Sequence, residues 1–168
     1  KNLNFNISNA EELKYEDETF DIVTCRTAAH HFKNVEKFCN ESNRVLSKNG
    51  DAVIVDTITS DQKKLDLWHQ EVELIRDKSH IKNLSLIEWK KIFKLTKFDV
   101  IDIAQSRVHM DLGDWMERSG TSDADKIIIK NKFLNADEKI KKFFGIIPQE
   151  DKIFFYWPVG IFHLRKLG

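Results

Sequence analysis

Two short apolar runs separated by one amphipathic segment constrain this chain more than any other feature. The first run contains Phe20, Ile22, Val23 and Cys25, between an acidic loop and a polar exit. The second is Ala52, Val53, Ile54 and Val55, ending at Asp56 and Thr57. Both are too short for helices, and their bounding signals make them buried strands. Between them Val35, Phe38, Cys39, Ser42, Val45 and Leu46 recur at three and four residues, the spacing of one helix face. Asn34 supplies an N-cap. Lys48, Asn49 and Gly50 are expected to close the helix with basic charge and a glycine just past its end. Strand, helix, strand in this rhythm requires a crossover between parallel neighbours, hence an α/β sheet with helices on its faces.

The rest of the chain extends the pattern. Leu3, Phe5 and Ile7 alternate with polar residues, which predicts a half-buried strand over residues 3–7. A helix is expected over residues 61–78, with Leu65, Trp68, Val72 and Ile75 facing inward. Ser85 starts another, its capping box completed by Glu88. Residues 98–103 read as a strand, and residues 114–118, 123–133 and 136–144 as short helices. The final strand, from Ile153 to Leu164, carries Pro158 in its middle and is expected to bend or run along an edge. No repeat, low-complexity tract or linker interrupts the 168 residues, so one domain is expected over residues 1–168.

Composition excludes several classes. Lys+Arg and Asp+Glu both number 27, so no basic excess points to nucleic acid. Cys25 and Cys39 make neither a disulfide framework nor a zinc spacing. No apolar run approaches the ~18 residues of a membrane span, and no signal-peptide pattern opens the sequence. The expected compartment is the cytoplasm. His69, His80 and His109 share no metal-ligand spacing, so no metal is assigned. Four tryptophans and twelve phenylalanines could line an acceptor pocket, but at helical spacing they read first as core.

The turn at Ser8, Asn9, Ala10, Glu11, Glu12 and Leu13, the acidic loop and strand to Cys25, and the exit Arg26, Thr27, Ala28, Ala29, His30, His31, Phe32 together resemble a known family. They are similar to class I S-adenosylmethionine-dependent methyltransferases of the menaquinone and ubiquinone biosynthesis kind. The resemblance covers nearly the whole chain and is strongest over residues 9–56. It implies a Rossmann-like sheet lacking its first two strands, with helices on both faces and an antiparallel C-terminal strand; residues 3–7 would be its third strand. It also implies S-adenosylmethionine as cofactor and a small-molecule methyl acceptor. The family's glycine-rich cofactor turn is missing from the sequence, whose first glycine is Gly50.

By the same resemblance, Asn9 and Ala10 would meet the adenine, and Cys25, Arg26 and Thr27 the methionine end. For each a plainer role stands beside this one. Asn9 suits an ordinary turn, and Arg26 could simply pair with Asp56. His30 is the candidate general base, or a histidine that fixes its loop. Its neighbour His31 is expected to face the opposite way. Residues 111–144 are the candidate substrate cap. Without its usual neighbours the strand at residues 20–25 would be a bare edge, which leads to three expectations: preceding residues cover it, two copies pair through it, or residues 3–7 move over it. The competing reading is a non-catalytic fragment or pseudoenzyme that keeps the fold for interaction.

Overall fold

The structure, a computed structural model, describes residues 2–167. Six strands form one sheet. They are β1 (Phe20–Arg26), β2 (Leu46–Thr59), β3 (Leu84–Ser85), β4 (Phe98–Asp111), β5 (Ile147–Gln149) and β6 (Lys152–Lys166). The main order is β1-β2-β6-β4, with β3 beside β2 and β5 beside β6. β1 and β2 are parallel, while β6 runs antiparallel between β2 and β4. The helices are α1 (Val35–Val45), α2 (Lys63–Arg76), α3 (Leu86–Leu95), α4 (Leu112–Glu117), α5 (Asp123–Leu134) and α6 (Glu138–Phe144). The mixed sheet with an antiparallel last strand is the architecture the resemblance implied.

Alternation along β6 divides the core in two. Ile153, Phe155 and Trp157 face α2, α4, α5 and α6, where Trp115, Phe133 and Phe144 join them. Phe162 and Leu164 face the opposite way, toward Phe38 of α1 and Trp89 and Phe93 of α3. Trp89, Trp115 and Trp157 are thus core. Burying each large aromatic or aliphatic side chain contributes about 1.5–3 kcal/mol.

Local signals set the helix ends. Asn34 Oδ1 accepts from the Lys37 N–H at 2.9 Å. Ser85 and Glu88 form the expected reciprocal capping box. α6 stops at Gly145, whose φ of 60° is left-handed; a Cβ there would run into Tyr156 Cε1.

Two expectations fail, each for a physical reason, and a third holds only over part of its strand. Residues 3–7 make no strand: Leu3, Phe5 and Ile7 are exposed and pair with nothing, because alternation cannot supply a neighbouring strand. Residues 48–50 do not cap α1, which ends at Val45. They form a bulge inside β2, where pairing jumps from Phe20↔Leu46 to Ile22↔Asp51 and Asn49, not Gly50, takes the positive φ of 61°. The edge expected of the last strand holds locally, at Pro158. β6 is interior from Val159 to Arg165, and β2 lets go of it at Thr57↔Val159, one residue short of Pro158. From there β6 continues along β4, with Pro158 opposite Arg107. A residue without an N–H is tolerated where one neighbour has left. β2 meanwhile turns to β3 through Ile58↔Leu84 and Thr59↔Ser85, so the sheet forks.

Candidate active site

The carboxyl ends of β1 and β2 lie side by side, the place where open α/β sheets hold ligands. β1 leaves the sheet at Thr27, whose φ is 52° and whose N–H donates to the Val55 carbonyl at 2.8 Å. One helical turn at Ala29–His31 follows. That turn delivers His30 to Asp56 on β2. The His30 ring Nδ1 lies 2.6 Å from Asp56 Oδ1, and the His30 backbone N–H donates to Oδ2 at 3.0 Å. Oδ1 also accepts the Thr57 N–H at 2.8 Å. Asp56 is buried, yet its carboxylate is fully engaged. The His30 carbonyl accepts the N–H groups of Ile81 and Lys82, which ties the loop before β3 to the same turn.

With Nδ1–H directed at the carboxylate, Nε2 is the ring nitrogen left without a hydrogen-bond partner among the described residues. The side chain is 14% exposed, so it is reachable. Burial pulls the imidazole pKa down, but the Asp56 hydrogen bond and charge, with Glu73 behind them, outweigh it and leave it above the ordinary value.

Around the pair stands a group of ionisable residues that sequence reasoning missed. The buried stripe of α2 is Leu65, His69, Val72 and Glu73, half of it polar. Burial pushes His69 down to about 3 and Glu73 up to about 7. His80 is pushed down to about 4, first by burial and then by His30 and His31. Arg76 reaches Glu73 at 3.6 Å, donates to the Trp115 carbonyl and stacks over the Trp115 ring. The signal was present as His69 and Glu73 at core spacing with Leu65 and Val72. Metal-ligand spacing does not reveal it, since the two residues stand on one helix face as core positions do.

The other candidates are placed as follows. Asn9 Oδ1 accepts the Glu11 N–H at 3.0 Å, forming a turn, and Ala10, like Ala28 and Phe32, packs against the core beneath α1 and α3. Glu11 then fastens the turn to the start of α1 through the N–H groups of Lys33 and Asn34. Asn9, Ala10, Thr27 and His30 are therefore brought to one end of the sheet. Cys25 is buried and its thiol pushed up to about 11, mainly by burial, so it is no nucleophile at neutral pH. Arg26 is exposed and does not pair with Asp56, which is committed to His30. His31 does not face away. In the helical turn its ring stands 4.2 Å from that of His30 and its Nδ1 meets Ser79.

A family profile described as a methyltransferase domain matches residues 1–54. The chain is 35% identical over 139 residues to the uncharacterized methyltransferase YcgJ of Bacillus subtilis (strain 168), across 82% of this chain and 55% of that protein. It therefore spans little more than half of that relative. It is 29% identical over 154 residues to the uncharacterized protein YafE of Escherichia coli (strain K12), across 92% of this chain and 73% of the other. The crystal structure of YcgJ superposes on all of this chain and 73% of its own, with a TM-score of 0.95 and 29% identity.

Proposed function

We propose that this chain, similar in sequence and fold to methyltransferases, takes part in S-adenosylmethionine-dependent methyl transfer to a small-molecule acceptor, with His30 as general base. The observation that carries this is the His30–Asp56 pair at the carboxyl ends of β1 and β2. His30 Nε2 takes a proton from the acceptor's nucleophilic group, and Asp56 holds the ring in place and offsets the charge it gains.

The flank beside His30 suits the cofactor. Arg26 is exposed and, among the described residues, has no carboxylate within ion-pair distance, and Thr27 holds a left-handed backbone at the strand exit. Arg26, Thr27 and the Cys25 backbone would hold the methionine end, and Asn9 and Ala10 the adenine. S-adenosylmethionine supplies a methyl group already activated by a positive sulfur. In this reading residues 1–168 form one domain, α4 to α6 cap the acceptor, and the compartment is the cytoplasm. With no glycine before Gly50, the 168 residues alone transfer methyl groups poorly.

Calorimetric titration with S-adenosylhomocysteine tests the reading. Stoichiometric micromolar binding, weakened in Arg26→Ala and Asn9→Ala, supports it; silence at millimolar ligand leaves this chain without a cofactor site of its own.

A second reading, a non-catalytic chain that associates through its fold, draws on one observation. β1 pairs only with β2 among the described residues, and Ile22 on it is 62% exposed. Such an edge recruits a partner, here a second copy. Sedimentation at micromolar concentration decides: a monomer removes the dimer.

A further inference from the structure

The fork in the sheet opens a groove that the methyl-transfer reading leaves without a role. Its volume is about 890 Å³, and Arg107, His109, Lys139, Lys142, Tyr156 and Pro158 are among its walls. The groove begins where β2 has let go of β6, and the start of α2, at Gln62 and Leu65, forms its far side.

The charge of this groove is one-sided. Among the described residues three permanent cations line it and no carboxylate does. Elsewhere in this chain of zero net charge some lysines are paired, Lys126 with Glu117, Lys132 with Glu71 and Lys141 with Glu138, and others, such as Lys90 and Lys94, have no such partner among the described residues. Among the described residues Arg107, Lys139 and Lys142 have no carboxylate within 4 Å. Side chains of like charge converge there from β4 and α6, a cost in self-repulsion that an anion would relieve. The cleft also contains a platform. The Arg107 guanidinium lies 4.5 Å over the Tyr156 ring, and the His109 ring stands 5.3 Å from it on the other strand. Held this way, the guanidinium is prearranged to donate to an acid group, beside aromatic surface that suits an apolar body.

Register connects the groove to the candidate active site. Asp56 and Gln105 stand opposite Gly160, Arg107 opposite Pro158, and His109 opposite Tyr156. Alternate residues share a face, so Asp56, Arg107 and His109 belong to one face of the sheet. Arg107 and Asp56 are one two-residue step apart along the strands, about 7 Å, and two strands apart across the sheet, about 9–10 Å. A small organic molecule anchored at Arg107 can therefore extend toward His30.

We propose that this groove binds the acid group, carboxylate or phosphate, of a small organic acceptor and sets which molecules are presented to His30. Its role in presenting an acceptor rests on the methyltransferase reading; its affinity for anions does not.

The test is a nuclear magnetic resonance titration of the full chain with inorganic pyrophosphate and, separately, with benzoate. Saturable shifts at the Arg107 Nε–H, the His109 ring and the Tyr156 ring are expected with at least one probe, and which probe gives them separates a phosphate from a carboxylate ligand. Arg107→Gln and the double variant Lys139→Gln/Lys142→Gln should each weaken binding about tenfold or more with an unchanged melting temperature. Lys90→Gln/Lys94→Gln, on α3, should leave it unchanged. No shifts with either probe at about 10 mM, weaker than any useful site, overturns the proposal, as does equal binding by the groove variants. Affinity for S-adenosylhomocysteine, measured on the same samples, reports on the methyltransferase reading independently.

Discussion

Asp56 grips His30 at two points: one carboxylate oxygen lies 2.6 Å from the ring Nδ1, and the other accepts the backbone N–H of the same residue at 3.0 Å. One side chain therefore fixes both the position of the turn and the orientation of the ring. Asp56→Asn should lower the pKa of His30, because burial, the largest influence on it, would be opposed only by the more distant charge of Glu73. Titrating the imidazole resonances of both proteins measures the change; an unchanged midpoint would refute the coupling. Stability should follow. The pair's contribution is complete below the unfolded histidine value of 6.5 and fades as pH rises through the raised folded value, so the variant should lose most at low pH.

Acid should unfold the protein through His69. Its folded pKa of about 3 lies well below the ordinary 6.5, so the unfolded chain binds more protons between those values and stability falls as pH drops through them. The shift corresponds to a loss on the order of 5 kcal/mol. His80, at about 4, acts in the same direction. Glu73 acts the other way. Its folded pKa of about 7 exceeds the ordinary 4.5, so its protonated form favours folding at low pH and stability declines as pH rises between the two. Urea melts across this range should show the steepest loss below pH 4.5, where Glu73 no longer compensates. Glu73→Gln should gain relative to the parent as pH rises from 5 to 8, a span that covers the Glu73 transition near 7. A parallel pair of curves would rule this out.

Gly145→Ala should be costly for its size. The residue has a φ of 60° and its new methyl would meet the Tyr156 ring. Left-handed strain and the displaced ring together predict a loss of about 2 kcal/mol or more. Thermal melts check the stability, and the pyrophosphate titration checks whether a moved Tyr156 spoils the groove.

Ser85→Ala should cost about 1 kcal/mol, since it removes one half of the capping box with Glu88. A denaturant midpoint that does not move would mean that the link from β2 through β3 holds the start of α3 without it.

Much of the fold was legible because its determinants are local. The period change at Asn34 and the cap at Ser85 were readable within a few residues, and both appear as expected. Residues 3–7 misled because alternation reports a face, while a strand also needs a neighbour. β4 ran on to Asp111 unseen because Gln105, Ser106 and Arg107 are exposed, so the ladder to β6 leaves no apolar pattern. At the site, His30 was visible, but its partner was misassigned. Asp56 was offered to Arg26 because both end apolar strands. Only the helical turn after Thr27 decides that His30 arrives first, and its dihedrals are set by packing rather than composition.

The fork at Pro158 has a consequence for how damage spreads. Asp56 belongs to a strand packed with α1 and α3, whereas Glu73 and Arg76, which also act on His30, ride on a helix packed with α4 to α6. Past Thr57 the strands of the two halves separate, so the seam beside the proline is where their movements meet. A change on either side that displaces Asp56, or Glu73 and Arg76, therefore shifts the same imidazole. His30 is the common gauge of both halves, and its titration reports the health of each.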